Sequence, residues 1–167
     1  YDLTEIKEVE LKDDKEKNSF KFYFDLKFNQ NVNSVFIIDE ASMISNARIE
    51  QEFFQFGSGF LLDDLIRYSR IKNESVNTKI IFVGDPAQLP PVSMNFSPAL
   101  DSDYIKETYQ LKVDETELSE VVRQEKENSV LKAATKFRKC ISSGYFNDFN
   151  LSADNKNIYN YNLKDFV

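Results

Sequence analysis

A chain of 167 residues, 41% hydrophobic and 14% aromatic, is globular and long enough for one domain with a full core, or for one domain and the start of a second. With no histidine and a single cysteine, Cys140, it excludes Ser/His nucleophile pairs, internal disulfides and multi-cysteine zinc sites. A net charge of −7 removes bulk electrostatics as a basis for nucleic-acid binding, though it leaves room for a local groove.

The opening YDLTEIKEVE is too charged for a signal peptide, and no apolar run approaches the roughly 20 residues of a membrane span. A reducing, cytoplasmic setting without a membrane partner fits best. Lys7–Lys17, KEVELKDDKEK, reads as solvated. Phe20, Phe22, Phe24, Leu26 and Phe28 then alternate with Lys21, Tyr23, Asp25 and Lys27, the period of a half-buried strand. Pairing that strand with Glu5–Leu11 across DDKEKN predicts an N-terminal β-hairpin.

Ser34–Ile38 (SVFII) and Lys79–Val83 (KIIFV) are continuous β-branched and aromatic runs, the pattern of parallel strands covered on both faces. Between them, Phe60–Arg70 places Leu61, Leu62, Leu65 and Ile66 at helical spacing, completing β-α-β with a right-handed crossover. A short helix is expected over Asp101–Tyr109, and Thr108–Val113 and Glu117–Val122 each read as a short strand. Glu127–Ile141 sets Val130, Leu131, Ala134, Phe137, Cys140 and Ile141 on one helical face. The tail from Ser152 is Asn-rich and poorly periodic.

Both apolar strands run into acids: Asp39-Glu40 after the first, Gly84-Asp85 after the second. Ligands of open α/β sheets bind beyond the carboxyl ends of the strands, so Asp39, Glu40, Asp85 and Gln88 should share one edge. A strand followed by Asp-Glu suits phosphate-anhydride hydrolysis: the Asp holds Mg²⁺ and the Glu orients or deprotonates the attacking water. The competing reading is a helix N-cap, with Asp39 or Ser42 capping the next turn and Glu40 merely solvated. In GDPAQLPPV (Gly84–Val92), a glycine, an acid, an uncharged amide (Gln88) and a Pro90-Pro91 pair form a stiff loop. The amide can hydrogen-bond a phosphate oxygen or the attacking water without adding charge.

DEAS (Asp39–Ser42), GDPAQLPPV and LSEVVRQ (Leu118–Gln124) resemble motifs II, III and IV of superfamily 1 helicases, closest to the exonuclease V alpha-subunit (RecD-like) group. The resemblance spans about Ser34 to Ile141. It implies an α/β fold with a RecA-like P-loop NTPase core, a parallel sheet flanked by helices, and ATP and Mg²⁺ as ligands. By resemblance Asp39 coordinates Mg²⁺, Glu40 is the catalytic base, Gln88 contacts the γ-phosphate and Arg123 acts as an arginine finger. Asp85 joins these on the nucleotide-binding edge. Residues 1–112 would belong to a first motor domain and 113–167 to the start of a second. The implied activity is ATP-driven translocation on, or unwinding of, single-stranded or duplex DNA, alongside recombination or repair subunits.

No G-x-x-x-x-G-K-[ST] occurs, so the phosphate loop and its lysine are missing, and the chain reads as a piece of a longer protein that is inactive by itself. FGSGFLLDD (Phe56–Asp64) has glycines before a helix without a following Lys-Ser/Thr, and reads as a turn with Ser58 as a cap. Without the family, Arg123 reads as a surface ion pair with Glu120 or Glu127. Two further readings stand beside the motor: a PhoH-like ATPase, and a non-catalytic α/β module that binds Mg²⁺ or a partner through Asp39, Glu40 and Asp85.

Overall fold

The computed structural model describes residues 21–118, 128–146, 152–154 and 156–160. Among them the protein is mixed α/β, with two parallel two-stranded sheets and three α-helices. No helix of the described residues is long and apolar enough to cross a membrane. The chain divides into two units, Tyr1–Glu115 and Thr116–Val167.

In the first unit the two β-branched runs form β2 (Asn33–Ile38) and β4 (Asn77–Phe82), paired in parallel with Phe36 opposite Ile80 and Ile38 opposite Phe82. Helix α1 (Leu61–Ser69) lies between them in sequence and buries Leu62, Ile66 and Ser69 on one stripe. Asp63 and Asp64 in its first turn suit the positive end of the helix dipole. Arg70 ends the helix in the left-handed region, at φ 58°. Helix α2 (Ser102–Tyr109) is capped by Asp101, whose carboxylate accepts the Tyr104 N–H at 2.9 Å, and buries Ile105 and Tyr109 one turn apart. These residues join Ala41, Ile44 and Ala99 in one core, with Ile38, Ile80 and Phe82 packed against it from the sheet.

A polar staple links the two helices within that core: the Tyr109 hydroxyl donates to Asp63. Burial, and then the adjacent Asp63 carboxylate, hold the Tyr109 phenol well above its ordinary pKa of 10.0.

Several expectations need correction. The β2–β4 sheet is not covered on both faces by the described residues: Val35 is 59% exposed and Ile37 70%, with Ile81 and Val83 also exposed. A continuous apolar run permits burial on both sides, but the core lies only on the face of Ile38, Ile80 and Phe82. The Phe20–Phe28 stretch contributes only β1 (Phe22–Phe24), which pairs in parallel with β3 (Phe54–Phe56), a strand the sequence did not announce. Stacked rings hold the pair, Phe24 on Phe56 at 4.7 Å and Phe22 on Phe54 at 5.8 Å. The expected hairpin partner, Glu5–Leu11, lies outside the described residues. Thr108–Val113 is not a strand: Thr108 and Tyr109 belong to α2, and residues 110–113 are irregular. The Asp101 cap and the Ile105/Tyr109 pair outweigh the β propensity of so short a run. Most of Glu117–Val122 lies outside the described residues.

The second unit contains α3 (Ser129–Ser143), capped by the Asn128 side chain at the Val130 N–H and ended by Gly144 at φ 69°. Its expected apolar face is sparsely covered: Cys140 is buried, whereas Val130, Phe137 and Ile141 are exposed. Further on, the Asp154 carboxylate gathers the N–H groups of Lys156, Asn157 and Ile158 at 2.8–3.0 Å, a local turn in the Asn-rich tail.

Candidate functional site at the carboxyl ends of two parallel strands

The β2–β4 ladder continues past the strands through two bonds, Val83 N–H to Ile38 O at 2.8 Å and Ala41 N–H to Val83 O at 2.9 Å. Asp39 and Glu40 sit between those two anchor points and project as an exposed pair. Glu40 occupies the left-handed region, φ 52° and ψ 38°, a backbone state costing about 1–2 kcal/mol for a residue with a Cβ. Ala41–Met43 then forms one 3₁₀ turn. Arg70 and Gln110, also in the left-handed region, end helices, whereas Glu40 lies at a strand end.

The N-cap explanation for the acids does not survive this geometry. Glu40 holds the cap position without a side-chain cap bond, and Asp39 Oδ1 accepts the neighbouring Glu40 N–H at 2.9 Å. Ser42 lies inside the turn, fully buried. Its hydroxyl donates to Gln88 Oε1 at 3.5 Å.

The second segment is fitted closely onto the first. At Gly84 a Cβ would lie 3.1 Å from Ser42 N, 3.2 Å from Ala41 N and 2.9 Å from Leu100 Cδ1, so a side chain there would press on the Ala41–Ser42 backbone and displace Leu100. Asp85 closes the next turn twice, accepting Ala87 N–H at Oδ1 (2.9 Å) and Gln88 N–H at its carbonyl (3.0 Å). Farther along, the Met94 sulfur accepts the Asn46 N–H at 3.4 Å and the Ser45 hydroxyl at 3.6 Å. The Ser97 hydroxyl donates to Ser42 O at 2.9 Å. Between these fastenings the Pro90-Pro91 stretch carries two exposed apolar side chains, Leu89 at 83% and Val92 at 90%.

Asp39, Glu40, Asp85 and Gln88 therefore follow the carboxyl ends of two adjacent parallel strands, and the loop of Gln88 touches the turn that Asp39 and Glu40 begin. Arg123 lies outside the described residues. Ser42, Met94 and Ser97, which fasten the two segments, were not assigned that role from sequence. Ser42 stood in the DEAS motif, but a partner 46 residues away leaves no local signal.

Among the described residues no group of three or more acidic, cysteine or histidine side chains gathers as a metal cage. Asp39, exposed at the strand end, could serve as one carboxylate of a water-rich cation site.

The glycine turn before α1 cannot stand in for a phosphate loop. Gly57 N–H donates to Phe24 O, Ser58 N–H to the Asp64 carboxylate, Gly59 N–H to Phe56 O and Phe60 N–H to Ser58 Oγ. Asp64 is itself buried beneath the turn, a negative charge where an anion would need positive surroundings. Ser58 thus closes its own turn, and the expected helix cap is not formed.

No protein-family model matches the chain, and neither a curated protein nor a solved structure is significantly similar to it.

Proposed function

We propose that this chain contributes the acidic edge of an ATP-dependent DNA helicase motor with a RecA-like core, of the superfamily 1, RecD-like kind. The observation that carries this reading is the juxtaposition of two motifs distant in sequence. Asp39-Glu40 and Asp85–Gln88 meet at one end of a parallel strand pair, joined through Ser42, with no side-chain cap bond from Glu40. Capping was the strongest alternative for the acids, and its removal favours chemistry.

In this reading Asp39 holds Mg²⁺, which when bound neutralises charge on the phosphate oxygens. Glu40 accepts the proton of the attacking water, and Gln88 donates its amide N–H to the terminal phosphate. Asp85 shapes the loop that presents Gln88, since its side chain and carbonyl close the turn. Arg123 completes the set by stabilising charge developing on the phosphoryl group. Single-stranded or duplex DNA and recombination or repair subunits are the partners the reading implies. Because the sequence lacks a G-x-x-x-x-G-K-[ST] loop, the phosphates must be cradled by residues beyond these 167.

The test uses a form of the protein that carries such a loop. Glu40→Gln should abolish ATP turnover and retain nucleotide binding, because the amide keeps the shape of the side chain but cannot take a proton. Normal turnover by this variant overturns the reading.

A further inference from the structure

We infer that Ser42 is a positioning residue that sets the orientation of the Gln88 amide. The inference rests on the motor reading above and assigns a role to a side chain that reading leaves unused. Ser42 is fully buried, so water cannot satisfy its hydroxyl, and that hydroxyl donates to Gln88 Oε1 at 3.5 Å. Gln88 itself is exposed, on a loop with no helix or strand to hold its side chain. An exposed glutamine samples many rotamers, and its amide can present either an acceptor oxygen or a donor NH₂. Toward a phosphate only the donor is useful, because a carbonyl oxygen facing a phosphate oxygen repels it. With Oε1 held by Ser42, the NH₂ group is the end of the amide left to donate to a phosphate.

The serine is itself held from three sides. Its carbonyl accepts the Ser97 hydroxyl at 2.9 Å, its N–H lies against Gly84, and its turn is anchored to Val83 through Ala41. The backbone that bears the hydroxyl therefore sits with the strand ends that carry Asp39, and Gln88 is referenced to the same frame. At 3.5 Å the bond is long for an O–H···O contact, so its loss is expected to have a modest effect. Its loss should slow turnover several-fold and leave the site otherwise intact.

Two measurements separate this inference from the reading beneath it. In the 167-residue chain, ¹⁵N relaxation of the side-chain amides should show Gln88 more ordered than the exposed Gln110, with that order lost in Ser42→Ala. Equal mobility of the two in the wild type, or no change in the variant, overturns the positioning role whatever the chain does to ATP. In a form carrying the phosphate loop, Ser42→Ala should lower kcat about 3–10-fold with KM for ATP little changed. The Ser42→Ala, Gln88→Ala double variant should be no slower than Gln88→Ala alone. Multiplying effects overturn the inference, since two independent roles multiply. Failure of Glu40→Gln to stop turnover sinks the motor reading instead, and the amide relaxation result stands apart from it.

Discussion

Two glycine-bearing turns of the first unit look alike in sequence and behave oppositely in structure. At Gly57–Phe60 four successive N–H groups are all engaged internally, and a buried acid, Asp64, closes the turn from below. At Gly84–Gln88 the glycine serves close approach between segments, and the acids and amide around it remain at the surface. Glycine next to an acid is therefore no signal of ligand binding by itself. What differs is the depth of the acid: Asp64 is buried beneath its turn, whereas Asp39 and Glu40 are exposed.

The sharpest way to break this comparison is to remove one acid from each turn. Asp64→Ala leaves the half-buried Ser58 N–H without its acceptor and a void where the buried carboxylate sat, and should cost about 2–4 kcal/mol in urea unfolding. Asp39→Ala removes an exposed side chain and should stay within about 0.5 kcal/mol of the parent sequence. Similar losses at both positions would erase the distinction between a turn closed by its acid and an edge that holds its acids in reserve.

A second test concerns Asp63, the neighbour of Asp64 and also in structural use. Its partner Tyr109 has a phenol pKa raised by folding, so the stabilisation is complete below the ordinary value of 10.0 and declines as pH rises past it. The urea midpoint should therefore hold up to about pH 10 and fall progressively above it, and the fall should be shallower in Tyr109→Phe. That variant should also lose about 1–2 kcal/mol at neutral pH, where it deletes a hydrogen bond to a carboxylate. An unchanged pH slope would place the titration elsewhere.

The smallest effect has the opposite sign. Glu40→Gly relieves a left-handed residue and should raise stability by about 0.5–1 kcal/mol by thermal or urea unfolding, while abolishing turnover in a form carrying the phosphate loop. A loss of stability would mean that the Glu40 side chain supports the fold, and would weaken the case that the edge trades stability for chemistry.

Particular residues show what was legible beforehand. Strands β2 and β4 announced themselves because SVFII and KIIFV are unbroken β-branched and aromatic runs, and their acids follow directly, so the edge could be read from order alone. Helix α1 was legible from spacing, and α2 was expected over Asp101–Tyr109, though its Asp101 cap emerged only in the structure. Strand β3 was not: three residues, FQF, carry too little period, and their pairing with β1 depends on ring stacking across a gap of some thirty residues. Neither was the bare face of the β2–β4 pair, because an apolar run specifies that burial is tolerated and not that a cover exists. Ser42 is the same lesson within the site, since its hydroxyl gains meaning only when residues 84–97 fold back over it.

That bare face has a calorimetric consequence. Among the described residues nothing covers Val35, Ile37, Ile81 and Val83, so unfolding of that part adds less newly hydrated apolar surface than its length implies. The heat-capacity increment should fall below the usual range of about 12–15 cal/mol/K per residue, and differential scanning calorimetry would read it directly. A smaller increment flattens the dependence of stability on temperature, which makes the folded form of this unit less prone to loosen in the cold than a fully covered sheet of the same size.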